Sequence, residues 1–394
     1  MAKTRNIKKL LFIAAVPQTL RCFLLPFAQH FRSQGWQVDA MAKNITNCPQ
    51  CQQAFDQTWE VDLARSPLNW QNLFSAPQQI RDGVVRESYD IVHVHMAVAA
   101  FITRYALKDL RKKGTPKVIY TSHGFNFHGE GDFFRNTAFL YLEKIAGHWT
   151  DDLIVMNQAD TEAAKAHHLV PPEKIHYMPG IGVDLAKYSK AKVSPDQAAQ
   201  VLKELNLSSD TAIFLSIAEL IPRKRHQDIL KAFAKANASK ACLLLAGNGP
   251  LKSKLKQLSA ELGISEKVRF LGFREDIPTL LRVATATVLV SDQEGLPRSV
   301  MESMGLGVPV IGTAIRGTQD LLQEGCGYLV PVGDIDALAK AFLWFLENPE
   351  SGRRMGLQGQ KNIHKYDLKE ILRMHESLYE TAVGHPTLTE AASI

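Results

Sequence analysis

The sequence predicts an α/β protein made of two doubly wound, Rossmann-like domains with parallel sheets. Three observations predict it. Short runs rich in Val, Ile and Leu recur along the chain, which is how parallel strands buried on both faces read. Longer amphipathic stretches separate them, so strand and helix alternate. The chain also has 394 residues, more than one ordinary hydrophobic core accommodates, so two domains of similar size are expected.

The elements follow in order. In the first half, strands are predicted over residues 9–16, 36–41, 91–96, 117–122 and 153–156. In the second half they are predicted over residues 212–217, 241–246, 268–271, 287–290, 308–312 and 327–331. The seam is expected between Pro179 and Asp210, where the turn-forming Pro179-Gly-Ile-Gly182-Val-Asp184 leads into a polar, helix-prone stretch over residues 190–205. The resulting division is an N-terminal domain of residues 1–190 and a C-terminal domain of residues 191–370. Residues 371–394 are expected to return to the N-terminal domain as a helix and then run into a loose tail from Gly384. In open α/β sheets ligands bind beyond the carboxyl ends of the strands. Two such domains facing each other would place a cleft between those ends.

Composition excludes several classes. Hydrophobic residues make up 45% and charged residues 22%, a globular rather than a disordered balance. No apolar run reaches the roughly 18–20 residues that span a bilayer. The basic start and the short apolar stretch after it lack the core and cleavage site of a signal peptide. This reading places the chain in the cytoplasm. The net charge of +6 and pI of about 8.9 are too mild for a dedicated nucleic-acid binder. Five scattered cysteines, Cys22, Cys48, Cys51, Cys242 and Cys326, argue against a disulfide framework. Cys48-Pro-Gln-Cys51 lacks the second ligand pair of a zinc site, so two loop thiols are expected. Asp334-Ile-Asp336 fits the N-cap of a helix over residues 337–347 better than a metal site. Phosphate-loop, dinucleotide and nucleophile-elbow motifs are absent. No metal and no other cofactor is expected.

The strongest signal is Ser291-Asp-Gln-Glu294-Gly-Leu-Pro297-Arg-Ser-Val-Met-Glu302-Ser-Met-Gly305, directly after a predicted strand. Gly295 permits a tight turn, and Pro297 suits the first position of a helix. The helix N-terminus then offers free N–H groups to an anion. Glu294 and Glu302 add acceptors for sugar hydroxyls. The spacing alone fits two solvated acids, but the strand–turn–helix setting favours a ligand with phosphates at one end and hydroxyls at the other. A second cluster, Ser216-Ile-Ala-Glu219-Leu-Ile-Pro-Arg223-Lys224-Arg225-His226, gathers cations after a strand, where a diphosphate could bind.

These residues resemble the family 4 glycosyltransferases, which have the GT-B fold and retain anomeric configuration. Glu294 and Glu302 match the family's E-x7-E motif. The resemblance implies that Glu294 contacts the transferred sugar, that Glu302 holds the ribose, and that backbone near Gly295 and Leu296 cradles the donor. Lys224 aligns with the family's phosphate-binding lysine. Glu219 stands where the family often has Arg, so the second cation is Arg223 or Arg225. Gly247-Asn-Gly249-Pro250 resembles the family's G-x-G-P. Gly272-Phe273-Arg274-Glu-Asp276 resembles the nucleobase segment, with a backbone contact expected near Arg274. Residues 312–321, with Arg316, Gly317 and Asp320, resemble the loop opposite the donor phosphates. In the N-terminal half His123, in Thr121-Ser122-His123-Gly124-Phe125-Asn126-Phe127, aligns with a histidine near the transferred sugar. Arg65-Ser66-Pro67, His93-Val-His95, and the segment from Thr150 to Asn157 match as well. Arg21, His95 and Asn126 are the acceptor-side candidates. The run after His95 lacks the branch's usual Thr-Pro and paired glycines.

The implied function is transfer of a sugar from UDP-N-acetylhexosamine or a UDP-hexose to an acceptor hydroxyl. The implied acceptor is a lipid-linked saccharide of the undecaprenyl-diphosphate type, as in the bacterial capsule, exopolysaccharide and O-antigen branch. Alternatives are a nucleotide-sugar epimerase of the same fold, a transferase acting on a soluble or glycolipid acceptor, and a binding protein without turnover. Glu294, Glu302, Lys224 and His123 argue against the last. A lipid-linked acceptor also implies peripheral contact with anionic lipid of the inner membrane. Residues 97–113 read as an apolar stripe flanked by cations, with Phe133-Phe134-Arg135 and Phe139-Leu-Tyr141 as aromatic anchors beside it. The competing reading packs the same stripe on the N-terminal sheet.

Overall fold

A computed structural model describes residues 7–64, 69–127 and 133–384. Arg65-Ser66-Pro67 and the tail beyond residue 384 lie outside the described residues. The chain divides into two compact units, one of Met1–Met178 with Ile371–Ile394 and one of Pro179–Glu370.

The first unit holds a seven-stranded sheet of order β3-β2-β1-β4-β5-β6-β7. Its strands are β1 (Lys9–Ile13), β2 (Gln37–Ala42), β3 (Thr58–Glu60), β4 (Ile91–His95), β5 (Lys117–Ser122), β6 (Asp152–Val155) and β7 (Ile175–Tyr177). Every pairing is parallel. The central strands are buried on both faces, the physical reason their sequences show no alternation. Sequence patterning misses β3 and β7, which are three-residue edge strands with half-exposed or exposed side chains.

The second unit holds a six-stranded sheet of order β10-β9-β8-β11-β12-β13. Its strands are β8 (Ala212–Ile217), β9 (Ala241–Ala246), β10 (Val268–Gly272), β11 (Ala286–Leu289), β12 (Val310–Thr313) and β13 (Gly327–Val330). These pairings are parallel too. Helices His226–Ala236 and Ile335–Glu347 pack on one face, with Phe214, Phe233 and Phe342 in mutual edge-on contact. Asp334 caps the latter helix, accepting from the Ala337 N–H at 2.8 Å.

Residues 179–190 belong to the second unit rather than the first. Val183 pairs with Asp367, and the Tyr188 hydroxyl bonds Glu302, so this segment is tied to C-terminal elements on both sides. Helix Leu368–Ala382 belongs largely to the first unit and buries Ile371, His375, Leu378 and Tyr379. These positions recur at the three- and four-residue spacing of one helix face.

Two sequence expectations change. Cys48 and Cys51 are not loop thiols. Cys48 is the N-cap of helix Pro49–Ala54, Cys51 lies in its first turn, both are buried, and their Sγ atoms lie 2.7 Å apart. Burial pushes the Cys51 thiol up to about 12. The apolar stripe over residues 97–113 forms helix Ala97–Arg111 and packs into the core through Ala99, Ala100, Ile102, Ala106 and Leu107. Arg104 is 2% exposed, pairs with Glu143 at 2.8 Å and lies over the Tyr120 ring. Arg111 pairs with Asp151 at 2.9 Å. The apolar stripe of this helix therefore packs in the core, and its two arginines are engaged within the unit.

Candidate active site

In the second unit the sheet order reverses between β8 and β11, because β9 and β10 lie on one side of β8 and β11 to β13 on the other. Loops leaving adjacent strands in opposite directions open a crevice at their carboxyl ends. Lys224 follows β8 and Glu294 follows β11, so the motifs meet at that point. Lys224 Nζ lies 2.5 Å from Glu294 Oε1, and Arg223 Nη1 lies 3.4 Å from the same oxygen. Arg223 also donates to the Gln293 carbonyl. Glu294 is 7% exposed. Burial lowers the pKa of Lys224 despite the carboxylate beside it. The two cations orient the buried carboxylate between them and exceed it by one charge.

Arg225 is placed differently. Its guanidinium bonds Asp228 at 2.6 Å and Asp292 at 2.8 Å, so it braces the turn. Glu219 is exposed, with no ion pair among the described residues.

Glu302 lies in helix Arg298–Gly305, whose N-cap, rather than its first helical residue, is Pro297. Glu302 Oε1 accepts from the Tyr188 hydroxyl at 2.6 Å and lies 2.8 Å from Arg298 Nε. Sequence reasoning missed Tyr188, because 114 positions separate it from Glu302 and no pattern links them. Leu296 is buried, its side chain packed beneath Gly180, so its backbone is the part left for a ligand.

The glycines of these loops are required by close loop-to-loop packing. A Cβ on Gly249 would lie 2.4 Å from the Leu220 carbonyl oxygen, and one on Gly247 would lie 1.9 Å from that of Ala218. Gly317, at φ +75°, would place a Cβ 1.9 Å from the Gly295 carbonyl oxygen. They let the loops after β8, β9, β11 and β12 stack against one another. Arg274, after β10, is held bidentately by Asp276 and also by Glu204 at 2.5 Å. Its guanidinium is engaged, which leaves backbone as the contact expected near it. Phe273 is 59% exposed and is not a core residue.

In the first unit, Arg21 follows β1, His95 ends β4, and His123 and Asn126 follow β5, all at one end of three adjacent strands. His95 Nδ1 lies 3.1 Å from His123 Nε2. His95 is 2% exposed, and its Nε2 has no hydrogen-bond partner among the described residues. Burial drives the His95 pKa well down and that of His123 to about 4. Both rings are therefore neutral near pH 7, and one is donor to the other. Phe23 stacks on His123 at 6.0 Å. Arg21 donates to Gln18 at 2.9 Å. Asn126 is half-buried. Among the described residues no group of three or more His, Cys, Asp and Glu side chains could hold a metal ion.

Comparison with known proteins identifies the family. The model of Glycosyltransferase Family 4 matches residues 23–187, and that of Glycosyl transferases group 1 matches residues 199–362. EpsD of Bacillus subtilis, assigned as a glycosyltransferase, is 33% identical over 96% of this chain and 98% of its own. A UDP-Gal:α-D-GlcNAc-diphosphoundecaprenol α-1,3-galactosyltransferase of Escherichia coli is 30% identical over 66% of each chain. In fold, the chain is similar to Anabaena Alr3699/HepE, solved with UDP and glucose, at a TM-score of 0.79 and 18% identity over 95% of this chain and 100% of that one. Sucrose-phosphate synthase of Thermosynechococcus elongatus superposes at 0.76, with 21% identity over 98% and 100% of the two chains. With both halves matched, and with a relative aligned from end to end, the chain belongs to the family 4 glycosyltransferases and has their GT-B fold.

Proposed function

We propose that the chain transfers a sugar, with retention, from a UDP-sugar to a hydroxyl of a lipid-linked saccharide in cell-surface polysaccharide synthesis. The observation that carries this reading is Lys224 and Arg223 bracketing the buried Glu294 at the switch point. The two cations meet the donor diphosphate, and the Glu294 carboxylate accepts from hydroxyls of the transferred sugar. Glu302, aligned by Tyr188 and Arg298, takes the ribose. The exposed Phe273 offers its ring to the base. Support for UDP comes from the HepE complexes, and support for the acceptor from the diphosphoundecaprenol galactosyltransferase.

In the proposed step the acceptor oxygen bonds the anomeric carbon on the face from which the diphosphate leaves. The bond from that carbon to the diphosphate oxygen breaks, and a diphosphate oxygen takes the acceptor proton. Lys224 and Arg223 stabilise the charge that develops on the leaving group, so the step runs on side chains rather than on a metal.

The test is a thermal-shift panel of UDP- and GDP-sugars, followed by NMR of the product. A true donor at about 100 times its Kd should stabilise by about 2.7 kcal/mol. Stabilisation by GDP-sugars alone would reject the donor, and an inverted product would reject the mechanism. Peripheral membrane contact, if the acceptor is lipid-linked, falls to helix Phe133–Gly147, where Phe133, Phe134 and Tyr141 are exposed. Co-sedimentation with anionic vesicles that is unchanged in F133D/F134D would remove that contact.

A further inference from the structure

The second unit carries a cavity of about 240 Å³ at the amino ends of β11 and β12, the end of the sheet opposite Glu294. Three basic residues line it: Lys190, Arg282 and Arg353. They come from separate elements, the 3-10 turn Lys190–Lys192, the last turn of helix Ile277–Val283, and the first turns of helix Pro349–Asn362. None makes an ion pair among the described residues, in contrast to Arg223, Arg225 and Arg274. Glu350, also on helix Pro349–Asn362, is not paired with Arg353. Partial burial, and after it the charges of Arg282 and Arg353, hold the Lys190 ammonium below the usual lysine range. Leu306, Val308 and Phe345 line the same cavity.

We propose that this cavity is a second anion site, separate from the donor crevice, that binds the phosphoryl group of an amphipathic ligand. Three cations brought together without a counter-charge repel one another, and a bound phosphate relieves that repulsion through charge-assisted bonds. The apolar residues accept an uncharged stem beside the phosphate. The volume is below the roughly 300–1,000 Å³ of pockets that enclose cofactor-sized ligands. The site therefore takes a headgroup or a small phosphorylated molecule rather than a whole nucleotide sugar. The same chemistry is offered by an anionic lipid headgroup and by a soluble phosphate ester.

The test uses the full chain. Inorganic pyrophosphate is titrated calorimetrically into K224A protein and into the same protein carrying R282Q and R353Q. The K224A background removes the principal cation of the donor crevice. Binding by K224A that weakens at least about tenfold in the combined variant supports the site, since each charge-assisted bond is worth about that factor or more. R282K/R353K in the same background keeps the charges and should keep the binding, which separates charge from folding. Binding should also fall as salt rises. A second arm compares phosphatidylglycerol with phosphatidylcholine vesicles. Binding to the anionic vesicles that falls in R282Q/R353Q identifies a lipid headgroup, whereas pyrophosphate binding with no vesicle binding identifies a soluble ligand. Equal pyrophosphate affinity with and without the two substitutions, or no binding by K224A protein, would overturn the proposal.

Discussion

Acid should destabilise the first unit through its buried histidines. His93, His95, His123 and His375 form one cluster, with ring centroids 4.3 Å apart for His93 and His95, 5.3 Å for His95 and His123, and 5.9 Å for His93 and His375. His375 is 4% exposed, packs edge-on to Phe27 at 4.9 Å, and donates from Nδ1 to the Ile371 carbonyl at 2.8 Å. Burial lowers its pKa from 6.5 to about 4. A depressed folded-state pKa means that the unfolded chain binds the proton more readily. The contribution to stability is therefore present above the unfolded pKa of 6.5 and lost as pH falls, with the loss complete near 4. Proton linkage with these two values gives a loss of about 2 kcal/mol at about pH 5 and almost none at about pH 7.5. His93 and His95 move in the same direction. At a urea m-value of about 2 kcal/mol per M, the His375 share alone moves the midpoint by about 1 M. Tryptophan fluorescence reads the first unit, because Trp36, Trp59, Trp70 and Trp149 lie there and only Trp344 lies in the second. Urea midpoints of wild type and H375F between about pH 7.5 and 5 provide the assay, and H375F should lose about 2 kcal/mol less across that range. Parallel curves for the two proteins would refute the reasoning.

Three other outcomes are expected. K224A should lower kcat/KM by a factor equivalent to about 3–4 kcal/mol, the scale of one preorganised charge donor, as read by steady-state release of nucleoside diphosphate. Y188F removes the hydroxyl that holds Glu302 and should weaken UDP binding, measured calorimetrically, more than it changes kcat. R104M strands the Glu143 carboxylate, 7% exposed, and should cost about 3–5 kcal/mol in urea unfolding, with R104M/E143L recovering most of the loss.

The meeting of Lys224 and Glu294 at the candidate site was legible because both lie close in sequence to the strand ends that position them. Glu294 follows β11 and Lys224 follows β8, and each strand reads clearly as an apolar run. The choice between Arg223 and Arg225 was not legible. Both are exposed-looking cations in one turn, and they part only when Asp228 and Asp292 engage Arg225. Tyr188 was invisible for a related reason, since its role depends on contact with a helix far along the chain. Helix Ala97–Arg111 carried a pattern shared by membrane-surface and core helices. Burial of Arg104 against Glu143 and Tyr120 seats its apolar stripe in the core, and no local pattern encodes that.

The sequence by itself determined two parallel α/β units and the strand ends that lead into Lys224 and Glu294, because apolar periodicity and turn motifs are local properties, and its motifs carried the resemblance to the family. Only the tertiary structure decided which cations pair with carboxylates, which glycines serve loop-to-loop packing, and where residues 179–190 belong. It also brought Lys190, Arg282 and Arg353 around one cavity from three separate elements. Charge balance and close contact are sums over neighbours in space, and residues distant in sequence become neighbours only when the chain folds.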